Sequence, residues 1–250
     1  MTINSYRGVA ALTELVFGRG APAAMLVPMS SAVGEPNTDD HDAVTPVPGG
    51  WRDYGTAELP VPLAAALDTF AEHGYHGTSV REIAARANLS VPGLYHHYPS
   101  KQSLLQGLLE RTMSDLLTRS EQAIAEAGKR PVDRFDAVVE SLLRFHMYRQ
   151  AQAFVGSTEI RSLDADYKPT YVAHRDRQQR MVDQIVFAGV ESGDFATAFP
   201  KDAARAVATM CVGVSTWFNV DGEVDADELI RRNLHMARCL VEYTGDHPTR

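Results

Sequence analysis

The sequence predicts an all-α protein, and three observations support this fold class. Apolar residues recur at the i, i+3, i+4 and i+7 spacing of amphipathic helices almost without interruption from Pro60 onward. The alternation of apolar and polar residues that is typical of a half-buried strand is absent from the sequence. Glycine and proline lie between the periodic stretches, where they end one helix and precede the next.

Four helices are predicted in close succession after Pro60. The first ends at Gly74 and carries an apolar stripe of Leu63, Ala66, Leu67 and Phe70. A short second helix begins at Ser79, which has the spacing of a capping box with Glu82, and buries Val80, Ile83, Ala84 and Ala87. After a tight turn at 88–90, Ser90 caps a third helix that tolerates Pro92 in its first turn. Pro99 and Ser100 end it and start a long fourth helix rich in leucine.

Five more helices are predicted in the rest of the chain, at 131–149, 151–161, 166–192, 201–220 and 226–243. The first 55 residues differ from everything after them, because they hold repeated Pro and Gly, an acidic cluster and little periodicity. We therefore predict three parts: a flexible extension at 1–55, a three-helix domain at 56–102 and a larger helical domain at 103–250.

Composition narrows the classes of function. The chain carries a net charge of −8, and residues 56–110 hold three Lys or Arg against five Asp or Glu. Any contact with nucleic acid must therefore come from a few placed groups rather than from bulk charge. No apolar run is long enough to span a membrane, and the N-terminus is too weak and interrupted for a signal peptide. The two cysteines, Cys211 and Cys239, lie in apolar helical patterns, so we expect a reduced, cytoplasmic setting.

The second and third helices have the layout of a helix-turn-helix, in which the second member enters the major groove of B-DNA. Ile83, Ala84, Leu89 and Leu94 are expected to hold the two helices at a fixed angle. Gly93 costs about 1 kcal/mol relative to Ala inside a helix, which a bare backbone facing a base pair would explain. Tyr95, His97 and Lys101 are placed to reach phosphate oxygens.

This stretch strongly resembles the TetR family of bacterial repressors. The matching positions are Phe70, Gly74, Thr78, Ile83, Ala84, Ala87, Leu94, Tyr95, Tyr98 and Lys101, and the helix pattern to residue 243 agrees with the nine-helix layout of that family. The resemblance implies that Tyr95, His97, Lys101 and Thr78 contact phosphates. It implies base-edge contacts for Arg81, Val91, Pro92, Gly93 and His96. Ser79 and Ser90, at the two helix N-termini, complete the predicted DNA-binding set. His96 and Tyr98 depart from the common aromatic and Phe of the family, and the first departure leaves base preference open.

The larger domain resembles the branch of that family that senses acyl-CoA thioesters or related lipid-derived ligands, through the segment 154–195 and the helix predicted to end at Trp217 and Phe218. Flexible Met and large aromatic side chains suit an irregular apolar cavity. The predicted ligand-binding residues are Phe145, His146, Phe154, Arg175, Met181, Met210 and Trp217. Ordinary core packing is the alternative for each of these residues other than Arg175, and for any single one of them it is the simpler explanation. Arg161, Arg175, Arg177 and Arg180 either meet a ligand head group or form a solvated face paired with Asp164, Asp166 and Asp176.

The last two predicted helices offer more apolar surface than a small domain needs, at Val207, Met210, Cys211, Val214, Leu229, Leu234, Ala237, Leu240 and Val241. A two-fold homodimer interface is the natural use of that surface, and core packing is the alternative. We expect no cofactor. Four histidines, His73, His76, His96 and His97, suggest a metal site, but no set of ligands converges on them in the sequence, so we expect no metal. An enzyme is the rival class, but no nucleophile–base pair or phosphate-binding loop has the required spacing. An adaptor, in which the helix-turn-helix only packs, is the second rival.

Overall fold

The computed structural model describes residue 47 and residues 49–55 and 59–245. This part of the chain folds into nine α-helices and confirms the all-α prediction. They are α1 (Val61–Gly77), α2 (Val80–Arg86), α3 (Val91–His97), α4 (Lys101–Glu126), α5 (Pro131–Tyr148), α6 (Gln150–Thr158), α7 (Lys168–Ser192), α8 (Pro200–Gly213) and α9 (Ala226–Leu240). None of the described helices is both long and apolar enough to cross a membrane.

The first three helices pack around a small apolar centre. Leu63 and Phe70 of α1, Ile83 of α2 and Leu94 of α3 are fully buried there, against the first turns of α4. Gly74 interrupts α1 with a φ of +69°, a backbone conformation that favours glycine. The predicted end of the first helix at Gly74 therefore corresponds to a kink, after which one more turn continues to Gly77.

The larger helical domain is organised around α5. This helix packs against α4, α7, α8 and α9, and its buried face includes Phe135, Leu142 and Phe145. The 26 residues of α4 reach about 39 Å at 1.5 Å per residue, so one continuous helix runs from the helix-turn-helix into this core.

Three predicted helix ends are wrong. The helix predicted at 201–220 ends at Gly213, and a 3-10 turn at Val214–Thr216 leaves Trp217 outside it. The helix predicted at 151–161 ends at Thr158 and continues as a 3-10 turn, Glu159–Ser162. The last helix ends at Leu240 rather than 243, because Tyr243 instead makes an isolated antiparallel bridge with Phe195.

Residues 49–55 form an ordered segment on the larger domain, which we call the strap. Trp51 is buried against Ala123 of α4 and Ala137 of α5, and its indole Nε1 donates a hydrogen bond of 2.8 Å to Glu126. Arg52 donates two hydrogen bonds to the carboxylate of Glu140, at 2.8 and 2.9 Å. The prediction of a flexible extension up to residue 55 therefore does not hold for the strap, while residues 1–46 lie outside the described part of the chain.

Candidate DNA-binding surface and ligand-binding residues

The helix-turn-helix is formed by α2 and α3 and by the turn between them. The turn closes when the Leu89 N–H donates to the Ala84 carbonyl at 2.9 Å, and Asn88 takes a left-handed φ of +54°. Buried Leu94 anchors α3 from beneath. The opposite face of α3 presents the exposed side chains of Pro92, Tyr95, His96 and His97, with Val91 and Gly93 half-buried beside them.

Serine side chains cap both helices as their spacing predicts. The Glu82 N–H donates to Ser79 Oγ at 3.3 Å, and the Ser79 N–H donates to the Glu82 carboxylate at 2.7 Å. The latter bond is the main reason that the pKa of Glu82 lies below its usual value. Ser90 Oγ accepts from the Gly93 N–H at 3.1 Å. The capping box and the Ser90 cap are confirmed, and both serines are exposed.

Two arginines of α2 have different surroundings. Arg86 makes a bidentate pair with Glu72 of α1, at 2.8 and 2.7 Å, which occupies its guanidinium. Arg81 is exposed, and we find no ion pair for it within the described residues. Arg81 is therefore the cation of α2 that is available to a ligand.

Thr78 is placed differently from its prediction. Its side chain is 3% exposed, and its hydroxyl donates to the carbonyls of Gly74 at 2.8 Å and Thr69 at 3.2 Å. Its N–H donates to the Tyr75 carbonyl. Since both donors are already used inside the domain, the structure does not support a phosphate contact from Thr78 and assigns it to closing the end of α1.

Lys101 also has partners inside the protein. Its ammonium group donates to the carbonyls of Tyr75 at 2.8 Å and Thr78 at 2.9 Å, and it lies 4.2 Å from the centre of the Tyr75 ring. One of its three N–H donors remains for a phosphate. Lys101 thus joins the start of α4 to the end of α1 at the base of the predicted DNA surface.

The four histidines of this domain do not converge. His96 and His97 stack edge to face on α3, His73 lies 3.7 Å from Glu72, and His76 lies 3.4 Å from the Ser162 hydroxyl. Within the described ranges, no three His, Cys, Asp or Glu side chains are arranged to hold a metal ion.

The predicted ligand-binding residues do not all line one buried cavity, because some are buried and others are exposed. Phe145 and His146 are buried in α5, and Met181 and Met210 are half-buried against the same core. Phe154 and Trp217, by contrast, are 49% and 60% exposed. Trp217 is exposed because it follows the 3-10 turn beyond the end of α8, and Phe154 lies on the solvent side of α6. Phe154 and Trp217 therefore do not line a buried cavity.

His146 is the one buried ionisable group of that predicted set. Its Nδ1 donates to the Leu142 carbonyl at 2.7 Å, so that the neutral ring offers Nε2 as an acceptor. Burial lowers the pKa of His146 to about 4, and the nearby charge of Arg175 acts in the same direction. The imidazole is therefore uncharged at neutral pH.

The arginines of α7 are mostly solvated. Arg175, Arg177 and Arg180 are exposed, as is Arg161 of the preceding 3-10 turn. Arg177 pairs with Glu121 of α4 rather than with the aspartates predicted as its partners. Arg175 alone lies close enough to the core to influence both His146 and Tyr171.

The apolar surface predicted for dimerisation is largely used within one chain. Most of its members are buried in the core of the domain, namely Val207, Cys211, Val214, Leu229, Ala237 and Val241. Leu240 remains 41% exposed, and Met236, one turn earlier on α9, is 46% exposed. The buried members therefore belong to the core, which was the alternative, and a smaller exposed apolar face remains on α9.

A helix-turn-helix with an exposed second helix, carried on a larger helical domain, defines a DNA-binding regulatory protein. Two family models match the chain: "Bacterial regulatory proteins, tetR family" over residues 63–108, and "Tetracyclin repressor-like, C-terminal domain" over residues 128–241. The chain belongs to the TetR family of transcriptional regulators, which are not enzymes.

Individual relatives agree with this assignment. The HTH-type transcriptional repressor KstR2 of Mycobacterium tuberculosis is 28% identical over 169 residues, which cover 67% of this chain and 83% of the relative. A crystal structure of a tetR-family regulatory protein from Rhodococcus RHA1 superposes with a TM-score of 0.67 at 29% identity, over 74% of this chain and 97% of that chain. AibR, solved in complex with isovaleryl coenzyme A and operator DNA, gives a TM-score of 0.62 at 22% identity, over 73% and 99% of the two chains. At that identity the likeness shows the fold alone.

Proposed function

We propose that this regulator is a cytoplasmic repressor that binds a palindromic operator as a homodimer and is released by a small hydrophobic or acyl-CoA-type ligand. The observation that carries the DNA-binding part is the exposed face of α3, held in place by buried Leu94. A short helix presented in this way fits the major groove, which is about 12 Å wide.

The DNA contacts divide by the chemistry of the side chains. Tyr95 and His97 lie at the C-terminal end of α3, where hydroxyl and imidazole donors serve phosphate oxygens, together with the remaining donor of Lys101. Arg81, Val91, Pro92, Gly93 and His96 form the base-facing set, and Ser79 and Ser90 support the two helix N-termini. Because few cations are involved, we expect a shallow salt dependence of binding.

A palindromic operator requires two recognition helices about 34–36 Å apart, which in turn requires a dimer. We assign the dimer interface to the exposed face of α9 around Met236 and Leu240, together with neighbouring residues of α8. Two copies related by a two-fold axis would each contribute the same face.

The ligand is proposed to enter the larger domain near His146, Met181 and Met210. The uncharged imidazole of His146 and the adaptable thioethers suit an apolar ligand with a polar group, and Arg175 lies near enough to meet a negative head group. The isovaleryl coenzyme A bound by AibR, a protein of the same fold, supports a thioester. A drug-like or aromatic compound acting on the same fold is the alternative.

Ligand release of DNA is tested by titrating operator binding with and without acyl-CoA thioesters of several chain lengths. We expect the ligand to lower operator affinity through a coupling free energy of about 1–3 kcal/mol. Met181→Trp should fill the site, abolish the ligand response and leave operator binding in the absence of ligand unchanged. Val172→Trp, on the exposed face of the same helix, is the matched control and should respond like the wild type.

The outcomes separate the parts of the proposal. If Met181→Trp responds like the wild type, the ligand site lies elsewhere. If no thioester changes operator affinity, the ligand class is wrong while the DNA-binding assignment stands. A gel shift with the DNA upstream of its own gene that shows no complex would instead favour an adaptor.

A further inference from the structure

The strap lies over two buried arginines of the larger domain. Arg119 of α4 is 5% exposed and Arg149, between α5 and α6, is 8% exposed. Arg119 donates to the backbone carbonyls of Trp51 at 3.1 Å and Asp53 at 2.7 Å. Arg149 donates to the carbonyls of Tyr54 at 3.4 Å and Gly55 at 3.3 Å. Four of the five residues 51–55, all except Arg52, thus supply neutral carbonyl acceptors to two cations.

The two guanidinium groups are incompletely compensated. Among the residues that the structure describes, Asp115 is the carboxylate that both of them approach, with oxygens 2.7 Å from Arg119 Nε and 3.6 Å from Arg149 Nε. Arg149 Nε is buried and has no hydrogen-bond acceptor, and its bonds to the strap are long. A buried cation without full hydrogen bonding or a partner charge is costly. An ionised carboxylate or phosphate would add an opposite charge and could accept paired hydrogen bonds from a guanidinium group, which the separate neutral carbonyls do not provide.

Tyr54 fills the space above this pair. Its ring stacks on Tyr148 with centroids 5.4 Å apart, and the guanidinium carbons of Arg119 and Arg149 lie 4.0 and 5.1 Å from its centre. The phenolic oxygen is buried without a hydrogen-bond partner, and burial raises the pKa of Tyr54. The strap therefore covers the arginines by shape and by ring stacking. The Tyr54 hydroxyl and Arg149 Nε remain without hydrogen-bond partners.

We propose that Arg119 and Arg149 form an anion-binding site which the strap occupies as a displaceable plug, so that a carboxylate- or phosphate-bearing ligand and the strap exclude each other. An anion would replace the neutral strap carbonyls with ionised oxygens, which add the missing opposite charge and can accept paired hydrogen bonds from the same two guanidinium groups. This site is separate from the ligand residues proposed around Met181, and it does not depend on them.

Displacement of the strap would act on the DNA-binding domain through the short linker that joins the two. Five residues, 56–60, join Gly55 to the start of α1 at Val61, and a linker of this length reaches at most about 20 Å. While the strap is seated, the N-terminus of α1 is restrained by its tether to α4 and α5. Anion binding removes that restraint.

The two tryptophans of the chain allow a direct measurement. Trp51 is buried and Trp217 is 60% exposed, so Trp217→Phe leaves Trp51 as the single reporter of the strap. With this full-length variant, inorganic phosphate and octanoate are titrated separately at ionic strength matched with chloride. Release of the strap should shift Trp51 emission to the red and increase its quenching by acrylamide. The probe that acts at the lower concentration identifies phosphate or carboxylate as the preferred chemistry.

Two variants with opposite effects test the arginines and the plug. Arg149→Met, in the same background, should abolish the shift, whereas Arg130→Met, an exposed arginine at the start of α5, should not change it. Trp51→Ala weakens the plug and should raise the apparent affinity for the same anion about tenfold or more by calorimetry, since the open state becomes populated. Because this variant gains affinity, a loss of folding cannot imitate the result.

Three results would overturn the proposal. Trp51 emission that is the same in phosphate, octanoate and chloride excludes displacement. A shift that survives in Arg149→Met places the anion elsewhere. Equal anion affinity of Trp51→Ala and the wild type shows that strap and anion do not compete.

Discussion

The ammonium nitrogen of Lys101 lies 2.8 Å from the carbonyl oxygen of Tyr75, and this contact joins the first residue of α4 to the last turn of α1. The same ammonium group donates a second hydrogen bond to the Thr78 carbonyl, just after the end of α1. The residue that was predicted to touch phosphate is therefore also a structural tie within the DNA-binding domain.

Replacing Lys101 should affect both stability and DNA binding. Lys101→Met removes two charge-assisted donors from half-buried carbonyls, so we expect the free energy of unfolding to fall by about 1–3 kcal/mol. In a plot of log operator affinity against log salt concentration, the slope should also become less steep by about 0.9, the value for one lost phosphate contact. Urea denaturation and salt titrations measure the two effects, with exposed Lys168→Met as the control. Unchanged stability would show that the two carbonyl contacts contribute nothing.

Gly93 tests whether α3 enters the groove. A Cβ at this position would meet only Ser90 Oγ, at 3.1 Å, so a side chain can be added with a small adjustment. Gly93→Leu should stabilise the fold by roughly 0.5–1 kcal/mol through helix propensity, and should abolish operator binding by filling the space needed by a base pair. Gly93→Ala, which adds one methyl group, should weaken binding less. Operator affinity that is unchanged in Gly93→Leu would mean that this face of α3 does not meet DNA.

Because His146 is buried, we expect the free energy of unfolding to decrease at acid pH. Burial lowers its pKa in the folded chain to about 4, so the unfolded chain takes up a proton first as the pH falls below about 6.5. The contribution of neutral His146 to stability is therefore fully present above the pKa of the unfolded chain. It is lost as the pH falls toward the pKa of the folded chain. We expect this residue alone to reduce the free energy of unfolding by about 2 kcal/mol between about pH 7.5 and pH 5.

The corresponding variant is His146→Gln, which retains a donor but does not titrate. Its urea-denaturation free energies should fall less between the two pH values than those of the wild type. Parallel pH dependence of the two proteins would show that His146 is not held neutral by burial.

The exposed face of α9 should hold the dimer together. Leu240→Glu places a charge where we expect an apolar contact with the partner copy, so native mass spectrometry should show a shift from dimer toward monomer. Operator affinity should fall in parallel, because one recognition helix cannot read both half-sites. Val172→Glu, at a comparably exposed apolar position on α7, is the matched control. A dimer that persists in Leu240→Glu would move the interface to another face.

Local signals predicted the helix-turn-helix well. Ser79 with Glu82, and Ser90 with Gly93, form their caps within three residues, and the turn between them follows from the same short stretch. The end of α8 could not be found in this way. The apolar pattern continues through Trp217 and Phe218, although Phe218 is buried and Trp217 is exposed, and only packing against other helices separates the two.

The sequence by itself determined the fold class, the positions of most helices and the residues that face outward from α3. These depend on apolar periodicity and on caps within one turn, which are local interactions. Only the tertiary structure decided that Thr78 is buried, that Cys211 and Val214 belong to the core, and that Trp51 and Tyr54 are seated on α4 and α5. Arg119 meets the strap carbonyls across 66 and 68 positions of the chain, and no local pattern marks its partners. Which apolar or charged residue becomes buried depends on what the folded chain brings against it, because burial is a property of the packed assembly of helices and not of a single helix.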